Sequence, residues 1–432
     1  HLFLQNEKIT IQKDAFKNCT NLKQITLNGN TYFLTGLPNQ IKNRQMPELV
    51  HTIHTQLLEN FCISGTVLLR YWGNEARVTV PDGITVIGER AFAGNEAIGK
   101  LILPESVIEI QQEAFADCVV LQTLNFPKGL RKIGISAFEG CVKLLRAEIP
   151  AGVITLSNSV FSRCRKLGQV VWEEKSKLKE IGQQVFYGCS KLKDLIFPET
   201  LERIGALAFY QCDTLRCIIL PKAVKQMDAE AFACCKGLQE VIIEGKLSKW
   251  GRNLFAYAEK LKKVTFSEEQ QILPEYFAWK CTELQQVIVS DALKMVGLAA
   301  LEGTAFLKKF AEPKIWGTIF LDGKEQKNKV VIPDGVTAIA GGAFYGNSQI
   351  TSLVLPETIE WIGERAFCSC TELKEVRLPK KVSVISSGAF AYCTKLKQVF
   401  ADGTIKEVGE KAFYQCFSLE SVPDFSQTKI GD

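Results

Sequence analysis

Residues 121–144 read LQTLNFPKGLRKIGISAFEGCVKL, and the spacing of their apolar positions changes along the stretch. Leu124 and Phe126 alternate with polar residues, which is the period of a strand, and Pro127 ends it because proline cannot donate to a ladder. Leu130 to Ile133 is too short to assign to one element, a second short strand being one reading of it. Ala137, Phe138, Cys141 and Leu144 then follow at three-residue spacing, which predicts a helical turn tucked behind the strand. A unit of this size cannot bury its apolar row alone, so it must stack on others like it.

The rest of the chain supplies the others. Leu144, Ala147, Ile149, Pro150, Val153, Leu156, Val160, Phe161 and Cys164 repeat the pattern directly. A Phe, usually after Ala, recurs at positions 16, 92, 115, 138, 161, 186, 209, 232, 255, 277, 344, 367, 390 and 413, usually 23 residues apart. A degenerate copy follows Phe277, with Leu301 in place of Phe and Thr304 in place of Cys, and brings the count to fifteen.

Two interruptions resemble each other. Ile63 to Gly83 and Ile315 to Gly335 align without a gap, Pro81 on Pro333 and Ile110 on Ile362. Each reads as a small hairpin, with Gly73-Asn74 and Gly323-Lys324 near the turns, that starts a fresh run of coils. The expected organisation is an isolated repeat at 1–29, an insertion at 30–64, a first array at 65–310 and a second at 311–432. Within the insertion, Met46, Leu49, Val50, Ile53, Leu57, Leu58 and Phe61 fall at helical spacing and Pro47 suits a first turn, so a helix there packs against the solenoid or covers its end.

Composition bounds the function classes. A chain of 432 residues exceeds what one hydrophobic core serves, which leaves several domains or a repeat array. With 46% hydrophobic and 23% charged residues it is no disordered chain. Fifty-two basic against 47 acidic residues leave +5, interleaved, which argues against a nucleic-acid or anionic-membrane binder. No apolar run approaches the roughly 18 residues of a membrane span, and the first residues lack a signal peptide's layout. Because it starts at His1 without an initiator Met, the chain is expected to be a fragment or a processed form.

The motif Leu-Pro-x-x-Val-x-x-Ile-Gly-x-x-Ala-Phe-x-x-Cys-x-x-Leu, seen from Leu355-Pro356 through Ile362-Gly363, Ala366-Phe367, Cys370 and Leu373, resembles the BspA-like (treponemal-type) leucine-rich repeat. The resemblance runs over about nine-tenths of the chain. It implies an α/β fold: a right-handed leucine-rich-repeat solenoid of about fifteen 23-residue coils with a parallel sheet and short helical turns. It also implies a bacterial cell-surface or secreted protein that works by adhesion or protein binding and not by catalysis. Departures from the pattern are the 30–64 insertion, the weak unit at Leu301, and Ala258 where Cys is expected.

Fifteen cysteines invite a disulfide framework, yet ten of them (Cys19, Cys118, Cys141, Cys164, Cys189, Cys212, Cys235, Cys370, Cys393 and Cys416) sit three residues after the repeat Phe. Asn95, Asn347 and Thr304 take the same slot, so the slot reads as a ladder of small hydrogen-bonding side chains. Parallel side chains on stacked coils stay about 4.7–4.9 Å apart, too far for disulfide Cβ atoms. Cys62, Cys217, Cys234, Cys281 and Cys368 fall outside the slot and are not spaced as a zinc site. Glu48, His51 and His54 lie on successive turns of the insertion helix, where a solvated face explains them better than a metal site or, with Cys62, a nucleophile and base. There is no His-Glu-x-x-His motif, phosphate-cradling Gly loop or Gly-x-Ser-x-Gly elbow, and no cofactor is implied. Leu355-Pro356-Glu357-Thr358 mimics a sortase signal, but Ile359 stands where Gly is required.

A binding face is legible in the outward strand slot, which reads Ile102, Asn125, Glu148, Val171, Ile196, Ile219, Ile242, Thr265 and Ile288 along the first array. The candidate binding residues are Val171, Ile196, Ile219, Ile242 and Ile288, the first four flanked two positions earlier by Gln169, Asp194, Cys217 and Glu240; the competing readings are that β-branched residues simply favour strands, or that the insertion helix or a second copy of the chain covers the stripe. The expected function is a non-catalytic extracellular scaffold that contacts a protein or glycan through this face, with self-association as another use of the same stripe. The alternatives are a structural spacer for a domain absent from this chain and an enzyme built on the 30–64 insertion.

Overall fold

A computed structural model describes residues 1–5, 9–12, 15–16, 19, 22, 24–33, 49–50, 53, 59–193, 195–267, 270–425 and 428–431. The chain forms two compact units, His1–Gln226 and Met227–Asp432.

The first unit opens with strand Leu2–Leu4 parallel to Gln24–Leu27, which pairs antiparallel with Asn30–Phe33. Leu49, Val50 and Ile53 are helical, and Val50 and Ile53 are fully buried with Ile25 and Leu27. Leu49, Val50 and Ile53 thus pack on the isolated repeat; Phe61, expected on the same helix, instead opens strand Phe61–Ser64, and Met46, Leu57 and Leu58 lie outside the described residues. Glu48, His51 and His54 lie outside the described residues. Beyond it, hairpin Phe61–Ser64 with Val67–Tyr71 leads into a parallel sheet through Val86–Ile87, Glu109–Ile110 and Lys132–Ile133. A second parallel sheet runs through Arg77–Thr79, Lys100–Ile102 and Thr123–Leu124, so these coils contribute one strand to each of two sheets.

The second unit repeats the scheme. Glu240–Ile243, Lys263–Phe266 and Gln286–Ile288 pair in parallel, with Val241, Val264 and Val287 in register. Hairpin Lys314–Trp316 with Ile319–Asp322 then starts the second array, pairing onward to Ala338–Ile339 and Trp361–Ile362. Both hairpins turn at Gly65 and Gly317, not at Gly73-Asn74 and Gly323-Lys324; φ is +58° and +59° at the two glycines, a left-handed conformation that favours glycine.

The core is a column of Phe rings. Phe92, Phe115 and Phe138 stack with centroids 5.0 Å apart, and Phe344, Phe367 and Phe390 do so at 5.0 and 5.4 Å. The solenoid has about seventeen turns, somewhat more than the fifteen read from the Phe spacing. The hairpins add turns without the motif, since Tyr71 lies tilted against Phe92 at 5.2 Å and Phe320 stacks on Phe344 at 5.0 Å.

The predicted helical turns are not helices. Cys141 N–H bonds the Phe138 carbonyl and Leu144 N–H that of Cys141, but Ser136 and Gly140 between such turns have φ of +54° and +73°, which no right-handed helix accommodates. The amides go to the next coil instead: Phe138 N–H donates to Val160 O at 2.9 Å and Gly140 N–H to Ser162 O at 2.8 Å. Among the described residues the remaining helix besides the insertion is the single 3₁₀ turn Leu307–Lys309.

One repeat is shifted relative to its sequence pattern. The Phe-column amides bond the Ala-slot carbonyl of the next coil, as Phe115 N–H does to Ala137 O, and Phe255 N–H bonds Phe277 O while Ala278 N–H bonds Ala300 O. Phe277 therefore occupies the Ala slot and Ala278 the Phe slot. Its ring meets Phe255 edge-on, at 84°, and the face-to-face column stops there.

Candidate functional site

The thiol ladder can be set apart first, because its geometry makes it structural. Cys118, Cys141, Cys164 and Cys189 donate Sγ–H to the carbonyls of Phe92, Phe115, Phe138 and Phe161 in the preceding coil at 3.1–3.2 Å. Asn95 and Asn347 donate from Nδ2 to Gly73 and Gly323 carbonyls at 3.0 Å, whereas Thr304 turns to Leu301 in its own coil. Cys281, expected outside the slot, belongs to the ladder: its Sγ donates to Phe255 O at 3.0 Å. The shift of Phe277 hid it. None of the fifteen cysteines forms a disulfide. Burial pushes the thiols of Cys118, Cys281 and Cys370 up to about 12, so they stay protonated and unreactive. Among the described residues no group of three or more His, Cys, Asp or Glu is arranged to hold a metal ion, and no helix is long and apolar enough to cross a membrane.

The outward slot behaves as strand alternation requires. In the first unit Ile219 lies in Cys217–Leu220 between buried Ile218 and Leu220 and is 48% exposed. Ile196 is 82% exposed between Leu195 and Phe197, each only 5% exposed, and those buried neighbours fix its direction. Val171 is half-buried in strand Gln169–Trp172. Val171 and Ile196 line one groove of about 690 Å³ together with Trp172, Phe197 and Pro198; Ile219 lies outside its walls. Glu173, Lys175 and Glu199 give the groove a polar rim. Asp194, an expected flank, lies outside the described residues.

The groove exists because this coil is longer. Phe161 and Phe186 are 25 residues apart instead of 23, and the extra residues fall after Trp172. Gln169–Trp172 pairs with Arg146–Ile149 on one side. On its other side the Leu195–Phe197 segment is not a strand. The Trp172 indole N–H fills part of the missing ladder by donating to Ile196 O at 2.6 Å. Trp172 and Phe197 are site residues that the outward slot does not contain; the irregular step of 25 was their sequence signal.

The second unit carries the remaining candidates separately. Ile242 is half-buried in Glu240–Ile243, and Ile288 is 48% exposed at the end of Gln286–Ile288. Thr265 occupies the strand between them, with no partner for its buried hydroxyl among the described residues. No continuous apolar stripe links these two.

The sequence profile of the BspA type Leucine rich repeat region matches this chain in six copies, over residues 1–54, 71–177, 179–308 and 314–432. No curated protein matches it. Among solved structures, a leucine-rich repeat protein from Bacteroides ovatus ATCC 8483 is 22% identical over 86% of this chain and 88% of its own, with a TM-score of 0.40. A leucine rich cell surface protein from Faecalibacterium prausnitzii A2-165 is 21% identical over 85% of this chain and 94% of its own, with a TM-score of 0.39. A leucine-rich repeat protein from Eubacterium ventriosum ATCC 27560 is 16% identical over 85% and 89%, with a TM-score of 0.36.

Proposed function

This chain belongs to the BspA-type leucine-rich-repeat family, and from that premise we propose that it is a non-catalytic binding scaffold at the cell surface or outside the cell, with the Val171–Ile196 groove as the centre of a protein-docking face. One observation carries the reading: Ile196, the most exposed large apolar side chain among the described residues, is held outward beside an aromatic-walled groove. Burying such a side chain against a partner yields about 1.5–3 kcal/mol, and a rim of Glu173, Lys175 and Glu199 supplies the polar border that docking faces have. The buried, protonated thiols suit an oxidising exterior, because they offer no thiolate for disulfide formation.

The test is a binding survey of the wild-type chain against arrays of extracellular proteins and of glycans, repeated with Ile196→Asp. Ile196 is exposed, so the substitution leaves melting unchanged. Protein partners of the wild type should weaken about thirtyfold or more, the effect of losing an interface anchor. Partners that bind the variant as well as the parent place the docking face elsewhere, and loss of folding makes the slot core.

A further inference from the structure

The coils of the second unit meet a discontinuity where the second array begins. Gly341 N–H donates to Val296 O at 2.9 Å, so the coil after the second hairpin rests directly on the last coil of the first array. The approach is backbone on backbone: a Cβ at Gly341 would clash with Leu298 N, and one at Gly363 with Gly341 N. The two flanks of this seam differ in charge. On one, Lys324 of the second array pairs with Glu302 of the first at 2.6 Å. On the other, Glu364 of the second array meets Glu275 of the first in a cavity of about 400 Å³ walled by Trp250, Leu273, Met295 and Trp361.

This pairing departs from the rest of the surface. Elsewhere acids on one coil face bases on the next, as in Lys132–Glu109, Lys263–Glu240 and Lys395–Glu372 at 2.8–3.0 Å. Two carboxyl groups in contact hold together only while they share a proton: the protonated Glu364 O–H donates to the Glu275 carboxylate, and with both ionised the bond becomes a repulsion. The other charges facing them are Arg252, which lines the same cavity, Arg365 beside Glu364, and Glu410 with Lys411, which border Glu364 on its far side and pair with each other. None forms an ion pair with Glu275 or Glu364 among the described residues.

We propose that this seam is a proton-dependent joint, closed while Glu275 and Glu364 share a proton and loosened when both are ionised. The hydrogen bond to Glu275, with burial and the charge of Glu275 behind it and Arg365 opposing, raises the Glu364 carboxyl to about 7. A folded value above the unfolded one means that the stabilisation is complete below about 4.5 and is lost as pH rises through about 7. The joint therefore responds near neutrality, closing on acidification.

Amide exchange on the full chain, corrected for intrinsic rates, reads this locally. Between about pH 6 and about pH 8.5 the protection of fragments containing Gly341 should fall about tenfold, a one-unit linkage that allows for the solvent reaching the pair. Fragments containing Gly134, whose N–H bonds Ile110 O in the regular stack, serve as control and should hold constant. Glu364→Gln, whose amide donates to Glu275 as the protonated acid does, should keep Gly341 protected at both values. Glu275→Gln should also abolish the dependence, and it stands in should the first variant fail to fold. Parallel changes at Gly341 and Gly134, or an unaltered pH response in both variants, overturn the proposal.

Discussion

Two stretches of the same repeat behave differently: the coils from Phe92 to Phe209, and those from Phe255 to Phe344. In the first, every ring stacks face to face within 5.0–5.7 Å of the next. In the second the column turns edge-on at Phe277, passes through Leu301 and restarts at Phe320. Strict repetition spends each apolar residue on its neighbour and leaves little free for anything else. The departures are where groups become available: the longer coil at Trp172 opens the groove, and the restart brings Glu275 against Glu364.

The largest effect should separate the two stretches by stability. Phe138 is fully buried between Phe115 and Phe161. Truncation to Ala opens a cavity between coils that cannot collapse without breaking their register, so Phe138→Ala should cost about 3–5 kcal/mol in denaturant melts. A cost under about 1 kcal/mol would mean that the Phe column is not the core of the regular coils.

The next test concerns the shifted coil. Ala278 fills the Phe slot beside Phe277, so Ala278→Phe overfills the site and should destabilise by about 1–3 kcal/mol. Adding Phe277→Ala moves the ring back into the column and should recover part of that loss, a coupling measurable in a double-mutant cycle. Strict additivity would show that the exchange of slots has no bearing on packing.

How far the sequence could be read follows from where the decisive contacts lie. The coil, its leading strand and the outward direction of Val171 and Ile196 were legible because alternation is local, whereas the second strand is too short to show a period of its own. Turn and helix were not distinguishable, since both space residues by three and the choice depends on amides that bond the next coil, as Phe138 does with Val160. The shift at Phe277 was hidden because Tyr276-Phe277-Ala278 still offers a Phe near the expected step, which also displaced Cys281 from its ladder. Trp172 and Phe197 were missed because a two-residue lengthening changes how a neighbouring strand pairs, while the outward slot keeps its reading. Glu275 and Glu364 are far apart in sequence and in different arrays, so only the restart brings them together.

The smallest expected effect tests the thiol ladder that both stretches share. Cys141 donates to the Phe115 carbonyl at 3.2 Å, and that carbonyl also accepts from Cys118 N–H within its own turn at 3.2 Å. Removing the thiol therefore leaves no orphaned acceptor, and Cys141→Ala should cost only the net value of one hydrogen bond plus a small cavity, about 1–2 kcal/mol. Cys281→Ala should cost the same, since Cys281 makes the equivalent bond to Phe255 at 3.0 Å in the irregular stretch. If the ladder is structural in both places, a thiol reagent added without reductant should modify the exposed Cys19 and Cys217 in the folded protein and reach the buried thiols only on unfolding. Rapid native labelling of Cys281 but not Cys141 would show that the irregular coil opens where the regular one does not, and would sharpen the contrast between the two stretches into one of local stability.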